Sequence, residues 1–251
     1  MVLADYRARL TSGNARGGLV STFVLVHGAW RGSWLWQRVR KTLQAEGHDV
    51  FTPTLTGVAD RSHLASPQVD LETHIADVVN LVRWENLDDF VLCGHSYAGC
   101  VVTGVADRVV ERVRALVYLD AFVLENRQSL HDAVPPELRD AQAKAAQDGD
   151  GWQVPPIPAA LFNVNEADRA WVDAQCTPQS LATFQQRLTL NNVMPPEKVT
   201  HVLATDYEHS PFGPFHDLAK RKGWKTLAVH SGHDVMLDRP DKVAQILLDA
   251  Q

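Results

Sequence analysis

Cysteine is scarce in this chain. Only three occur in 251 residues, Cys93, Cys100 and Cys176, and an odd, sparse set is no disulfide framework but fits a reducing, cytoplasmic setting. Long apolar runs are missing as well. No stretch approaches the ~20 residues needed to cross a bilayer, and the first twenty residues lack the uninterrupted apolar segment of a secretory signal. Positive charge is not in excess either. Lys and Arg number 24 against 30 Asp and Glu, a net charge of −6. Nucleic acid and anionic membrane are thereby disfavoured as partners, because both need clustered cations. The 11 histidines include no pair at metal-ligand spacing on a predicted helix, so no metal site is expected.

What remains is an ordinary globular composition, 45% hydrophobic and 22% charged, in a chain long enough to hold its core without staples. Short β-branched runs alternate with helical stripes. Phe23-Val24-Leu25-Val26 and Phe90-Val91-Leu92-Cys93 are continuous apolar runs of the kind that strands buried on both faces require. Asp49-Val50-Phe51-Thr52 and Ala115-Leu116-Val117-Tyr118-Leu119 are further strands. Helical spacing covers 34–45, 71–84 and 101–110. This βαβα order predicts an α/β fold, a mostly parallel central sheet flanked by helices. Residues 1–18 are expected to form a loosely held leader, and 19–121 with 201–251 the core. Prolines bound the segment 122–200, and helices are predicted within it at 137–147, 166–175 and 178–188. It is read as a helical cap inserted over the sheet. Strands resume at 201–205 and 226–230, and a last helix starts at Pro240.

The sharpest motif is Gly94-His95-Ser96-Tyr97-Ala98-Gly99, set between a buried strand and a helix. A serine on such a turn projects its hydroxyl from the sheet edge, and the crowding demands small residues two before and two after it, here Gly94 and Ala98. A chance Gly/Ser turn is the plainer explanation of the motif alone, and its placement after the third strand favours the nucleophile. A hydroxyl needs a base, and His233 lies in the loop after the last predicted strand, whereas His230 and His95 are read as structural. Backbone donors for an oxyanion are expected from the amides of Ala29, in His27-Gly28-Ala29-Trp30, and Tyr97.

Together these motifs, with Gly232-His233-Asp234-Val235-Met236-Leu237, resemble α/β-hydrolase esterases, in particular bacterial carboxylesterase-like relatives of the plant methylesterases and hydroxynitrile lyases. The resemblance implies the α/β-hydrolase fold and cofactor-free hydrolysis of small-molecule carboxylic esters through an acyl-enzyme. It leaves the third catalytic residue open. Plant relatives place an aspartate where this chain reads Thr205-Asp206-Tyr207-Glu208, with Asp206 one position early and Glu208 one late. Other α/β-hydrolases place the acid at the strand tip that Asp120 occupies here. Asp120 is taken first, Asp206 as the alternative and Glu208 after it. The lyases need a threonine and a lysine where this chain has Gly28 and Asp234, which disfavours lyase chemistry. A non-catalytic binding protein on the same fold is the remaining alternative, against which stands the retention of both Ser96 and His233. Trp30, His131, Trp152, Phe162 and Trp171, with Tyr97, are expected to line an apolar substrate pocket under the cap. For Trp152 and Trp171 the plainer role is packing of cap on core.

Overall fold

A computed structural model describes residues 20–191, 197–208 and 210–251. The expected leader, 1–18, lies outside the described residues. In chain order the elements are strand β1 (Thr22–Val26), helix α1 (Gln37–Ala45), β2 (Asp49–Phe51), α2 (Leu71–Trp84), β3 (Phe90–Ser96), α3 (Ala98–Arg108) and β4 (Val113–Ala121). Then follow α4 (Leu130–Ala133), α5 (Pro136–Asp148), β5 (Gln153–Val154), α6 (Glu166–Gln175), β6 (Gln179–Ser180) and α7 (Ala182–Gln185). The chain closes with β7 (Lys198–Ala204), α8 (Gly213–Arg221), β8 (Lys225–Val229), α9 (Val235–Asp238) and α10 (Pro240–Leu248).

Six strands form one sheet in the order β2-β1-β3-β4-β7-β8, and every neighbouring pair in it is parallel. Val24, Leu25, Leu92 and Cys93 are wholly buried, as expected where helices cover both faces. Only the edge strands β2 and β8 carry exposed positions along much of their length. Helix α2 shows the local logic. Asp70 accepts from the Thr73 amide in a capping box, and Leu71, Ile75, Val78 and Val82 are buried along one stripe.

The chain runs outward from β1 to β2 and then returns across β1 to β3. The strand order therefore reverses between β1 and β3, and a crevice opens beyond their C-terminal ends, where open parallel sheets take their ligands. The register pairs Val26 with Gly94, so the loop after β1 meets the turn after β3 at that crevice. Residues between β4 and β7 lie over the same edge. There α5 and α6 agree with the predicted helices to within a residue, but the helix expected over 178–188 is instead the short strand β6 followed by the single turn α7. Thr183 donates its hydroxyl to Ser180 O at 2.7 Å, and β6 pairs antiparallel with β5. Pairing with a partner outside the window overrode the local helical pattern.

The turn after β3 is packed to its limit. A Cβ built on Gly99 would stand 2.0 Å from Phe122 O, so the first turn of α3 lies directly on the chain leaving β4. Gly99→Ala is expected to destabilise the protein by about 3 kcal/mol through overpacking, read as a lower urea midpoint. Gly213→Ala, where nothing stands within 4 Å, should stay within about 0.5 kcal/mol of the parent.

Candidate active site

Three non-glycine residues at the C-terminal ends of adjacent strands hold left-handed backbone. Trp30 has φ 63°, Ser96 56° and Asp120 44°. Side chains with a Cβ adopt this region at a cost, and such residues gather where the surroundings over-determine them. Ser96 sits on the strand-to-helix turn, its carbonyl accepting from the Phe122 amide at 3.2 Å. Asp120 is the extra residue of a bulge, because His95 pairs with Leu119 and Ser96 with Ala121 across β3 and β4.

The bulge turns the Asp120 carboxylate toward the end of the sheet. Its Oδ1 accepts from the Ala204 amide at 2.9 Å, and its Oδ2 takes the Nδ1–H of His233 at 2.7 Å. Both side chains are buried. Burial pushes the Asp120 carboxyl up, against the pull of the His233 ring and the Ala204 amide. Asp206 lies apart, with Oδ1 on the exposed ring of His230 at 3.2 Å. Glu208 is exposed. The loop carrying His233 is gripped by the cap: the His233 amide donates to Phe162 O at 2.9 Å, and a Cβ on Gly232 would meet Asn163 O at 2.1 Å.

Ala29, Trp30, Ser96, Tyr97, Phe162 and His233 share one cavity of about 530 Å³, its open mouth included. Tyr97 donates its hydroxyl to His74 Nδ1 at 2.9 Å, and His74 Nε2–H donates to Thr56 O at 2.9 Å. That relay fixes the residue whose amide follows the serine. Gly28 is needed for close approach, since a Cβ there would lie 2.9 Å from both His95 Nδ1 and Ser96 Cβ. Trp30 is held by the cap: its amide donates to Gln179 Oε1 (2.9 Å), its indole N–H to Val154 O (3.0 Å), and its carbonyl accepts from the Thr177 amide (3.1 Å).

Three residues expected in the pocket do not line this cavity. His131 stands behind the wall, stacked on Phe184 with centroids 6.2 Å apart. Trp152 belongs to the turn into β5, its carbonyl accepting from the Leu181 amide at 2.7 Å. Trp171 packs edge-on against Trp34 at 5.0 Å, joining cap to core. Indole size alone does not tell a wall residue from a packing one.

A buried ion pair beside His233 went unread in the sequence. Arg31 Nη2 donates to Asp234 Oδ2 at 3.0 Å, and Nη1 lies 3.0 Å from Cys176 Sγ. Burial alone would raise the Asp234 carboxyl, yet Arg31 and the neighbouring histidines hold it below the usual carboxylate range. His95 donates Nε2–H to His233 O at 3.0 Å, and burial lowers its pKa to about 3. His95, His233 and Asp234 offer ligand atoms within 4.8 Å of one another. His95 Nε2 already serves His233 O, His233 Nδ1 serves Asp120 and Asp234 Oδ2 serves Arg31, and the guanidinium beside them repels a cation.

The model of the "Alpha/beta hydrolase family" matches residues 23–246. The chain belongs to that family. It is 45% identical over 239 residues to the carbendazim hydrolyzing esterase of Nocardioides sp. (strain SG-4G), covering 91% of this chain and 98% of that one. Methylesterase 1 of Arabidopsis thaliana is 30% identical over 118 residues, 43% of this chain and 41% of that one. Among solved structures, an extracellular alpha/beta-hydrolase from a Paenibacillus species superposes with a TM-score of 0.78 at 23% identity, over 92% of this chain and 98% of that one. This alpha/beta hydrolase is a carboxylic ester hydrolase, as its 45% relative is an esterase across nearly its full length. No helix among the described residues is long and apolar enough to cross a membrane.

The buried histidines set its acid stability. Burial lowers His27 to about 4, His95 to about 3 and His201 to about 4. An unfolded chain takes up protons at these positions below pH 6.5, while the folded chain refuses them until the lowered values are reached. Stability should therefore fall as pH drops from about 6.5 to 4, each site contributing on the order of 3 kcal/mol. Urea midpoints measured from pH 7.5 to 4 should decline steeply below 6.5; a flat profile would show that these rings are protonated in the folded protein.

Proposed function

We propose that this enzyme cleaves small carboxylic esters through an acyl-enzyme formed on Ser96. His233 serves as general base and then acid, Asp120 as the orienting carboxylate, and the amides of Ala29 and Tyr97 as the oxyanion hole. The observation that carries this reading is the buried 2.7 Å contact of Asp120 Oδ2 with His233 Nδ1, in a cavity shared with a serine at φ 56°. With Nδ1–H committed to Asp120, the Nε2 lone pair is left to take the serine proton.

Ser96 Oγ attacks the ester carbonyl carbon as its proton passes to Nε2. The oxyanion that forms is met by the two amides, at the positive end of α3. Collapse breaks the bond to the leaving oxygen, which takes the proton from Nε2 and departs as an alcohol. Water then attacks the acyl carbon, giving a proton to Nε2, and that proton returns to Ser96 Oγ as the acid leaves.

The substrates we assign are small aromatic esters. The cavity is walled by Trp30, Phe122, Phe162, Phe184 and Phe212, and the 45% relative is named a carbendazim hydrolyzing esterase. Lyase chemistry is disfavoured at Gly28 and Asp234, since a threonine at 28 would collide with Ser96 and His95. Three free cysteines suit a cytoplasmic place of action.

Intact mass after incubation with a fluorophosphonate should show one adduct, mapped to Ser96. Ser96→Ala should lose both adduct and turnover of a p-nitrophenyl ester, and Asp120→Asn should lower kcat about 10³–10⁴-fold. Asp206→Asn should stay within about twofold of the parent. Loss of turnover in Asp206→Asn with Asp120→Asn unaffected would reassign the acid.

A further inference from the structure

Packing alone does not account for the inward face of cap helix α5. Leu138, Gln142 and Ala146 recur at four-residue spacing along it, and Gln142 and Ala146 are its buried residues. A helix laid over an apolar chamber wants an apolar residue in the middle of that stripe. An unpartnered buried amide costs about 1–3 kcal/mol. Gln142 is nevertheless only 7% exposed and forms part of the cavity wall, beside Leu130, Val134, Leu138 and Ile157.

One half of its amide is already used. Gln142 Oε1 accepts from His131 Nε2 at 3.0 Å. Burial lowers the His131 pKa, so the ring is neutral at pH 7 and carries its single proton on Nε2. Stacking against Phe184 holds the ring in place. Gln142 Nε2, by contrast, makes no hydrogen bond among the described residues, and its two N–H groups remain for whatever fills the cavity.

The other polar groups on the wall are committed, save the Tyr207 hydroxyl. Trp30 Nε1 is bound to Val154 O and the Tyr97 hydroxyl to His74. Ser96 and His233 belong to the reacting centre, and Tyr207 is only half-buried beside His233, with ring centroids 5.5 Å apart. A mostly apolar pocket orients its ligand by the few polar groups left free on its wall.

We propose that Gln142 is the specificity-determining residue of the site. Its amide N–H donates to a hydrogen-bond acceptor, such as a ring nitrogen, borne on the aromatic group of the substrate away from the scissile bond. This rests on the ester-hydrolase reading above and narrows its substrate class to acceptor-bearing aromatic esters. A contact made equally in ground and transition states acts on KM and leaves kcat alone.

The test compares two matched bicyclic esters, 6-quinolinyl acetate and 2-naphthyl acetate, in the parent, Gln142→Met and Gln142→Glu. The glutamate keeps an oxygen on His131 and removes the N–H donors, so it reports even if the methionine variant fails to fold. The parent should bind the quinoline ester about tenfold more tightly by KM. Both variants should lose that preference, and the loss should appear in KM rather than in kcat. Calorimetric binding of 6-acetylquinoline and 2-acetylnaphthalene, which need no turnover, should show the same ratio and the same loss. If neither ester is cleaved but the ketones still discriminate, the ester reading fails while the Gln142 contact stands. Equal binding of the two ketones by the parent, or an equal loss for both in the variants, overturns the assignment and leaves Gln142 a packing residue.

Discussion

A wholly buried carboxylate at the end of a parallel strand needs a partner for each oxygen, and Asp120 has one for each. Its 2.9 Å bond to the Ala204 amide ties β4 to β7, and its 2.7 Å bond to His233 brings in the loop after β8. Left unpaired, that carboxylate would be among the costliest groups in the core. The bulge that aims it is also why β3 and β4 part register where Ser96 begins its turn. One pairing requirement thus sets the positions of a strand end, a loop and a ring.

Much of this was legible in the sequence, for identifiable reasons. Strands buried on both faces must be apolar throughout, so the runs at 23–26 and 90–93 could be read directly. Helix α2 coincides with its predicted span, 71–84, because Asp70 caps it and its apolar stripe has one period. The neighbourhood of Ser96 was readable because crowding admits few residues there. What escaped depended on distant partners. The helix expected over 178–188 gave way to β6 because β5 lies 26 residues upstream of it by number and pairs with it in space. The bulge at Asp120 leaves no mark in composition, since an Asp in a β-branched run reads as a strand end. Nor does any local pattern announce that Arg31 crosses the molecule to Asp234.

The Arg31–Asp234 pair makes the environment of His233 electrostatically balanced. Two acids, Asp120 and Asp234, lie near one imidazole, Asp120 bonded to it and Asp234 paired with Arg31. The guanidinium offsets the second acid within 3.0 Å, in a region where neither group is solvated. The cost of burying this ion pair is not recovered as stability alone. Its position, between the loop after β1 and the loop carrying His233, couples two parts of the site that the sheet itself does not join.

Trp30 carries a wider consequence. Its left-handed backbone is held by three bonds, and all three come from cap residues, Val154, Thr177 and Gln179. The segment that shapes the substrate chamber therefore also sets the geometry of the loop presenting the Ala29 amide. As a building block the cap is not freely exchangeable. A lineage or an engineer seeking a new substrate range by replacing residues 150–183 would carry away the splint of the Trp30 loop with it. New pockets in this scaffold are thus more readily reached by changes on the chamber side of α5 that leave its packing on β5 intact.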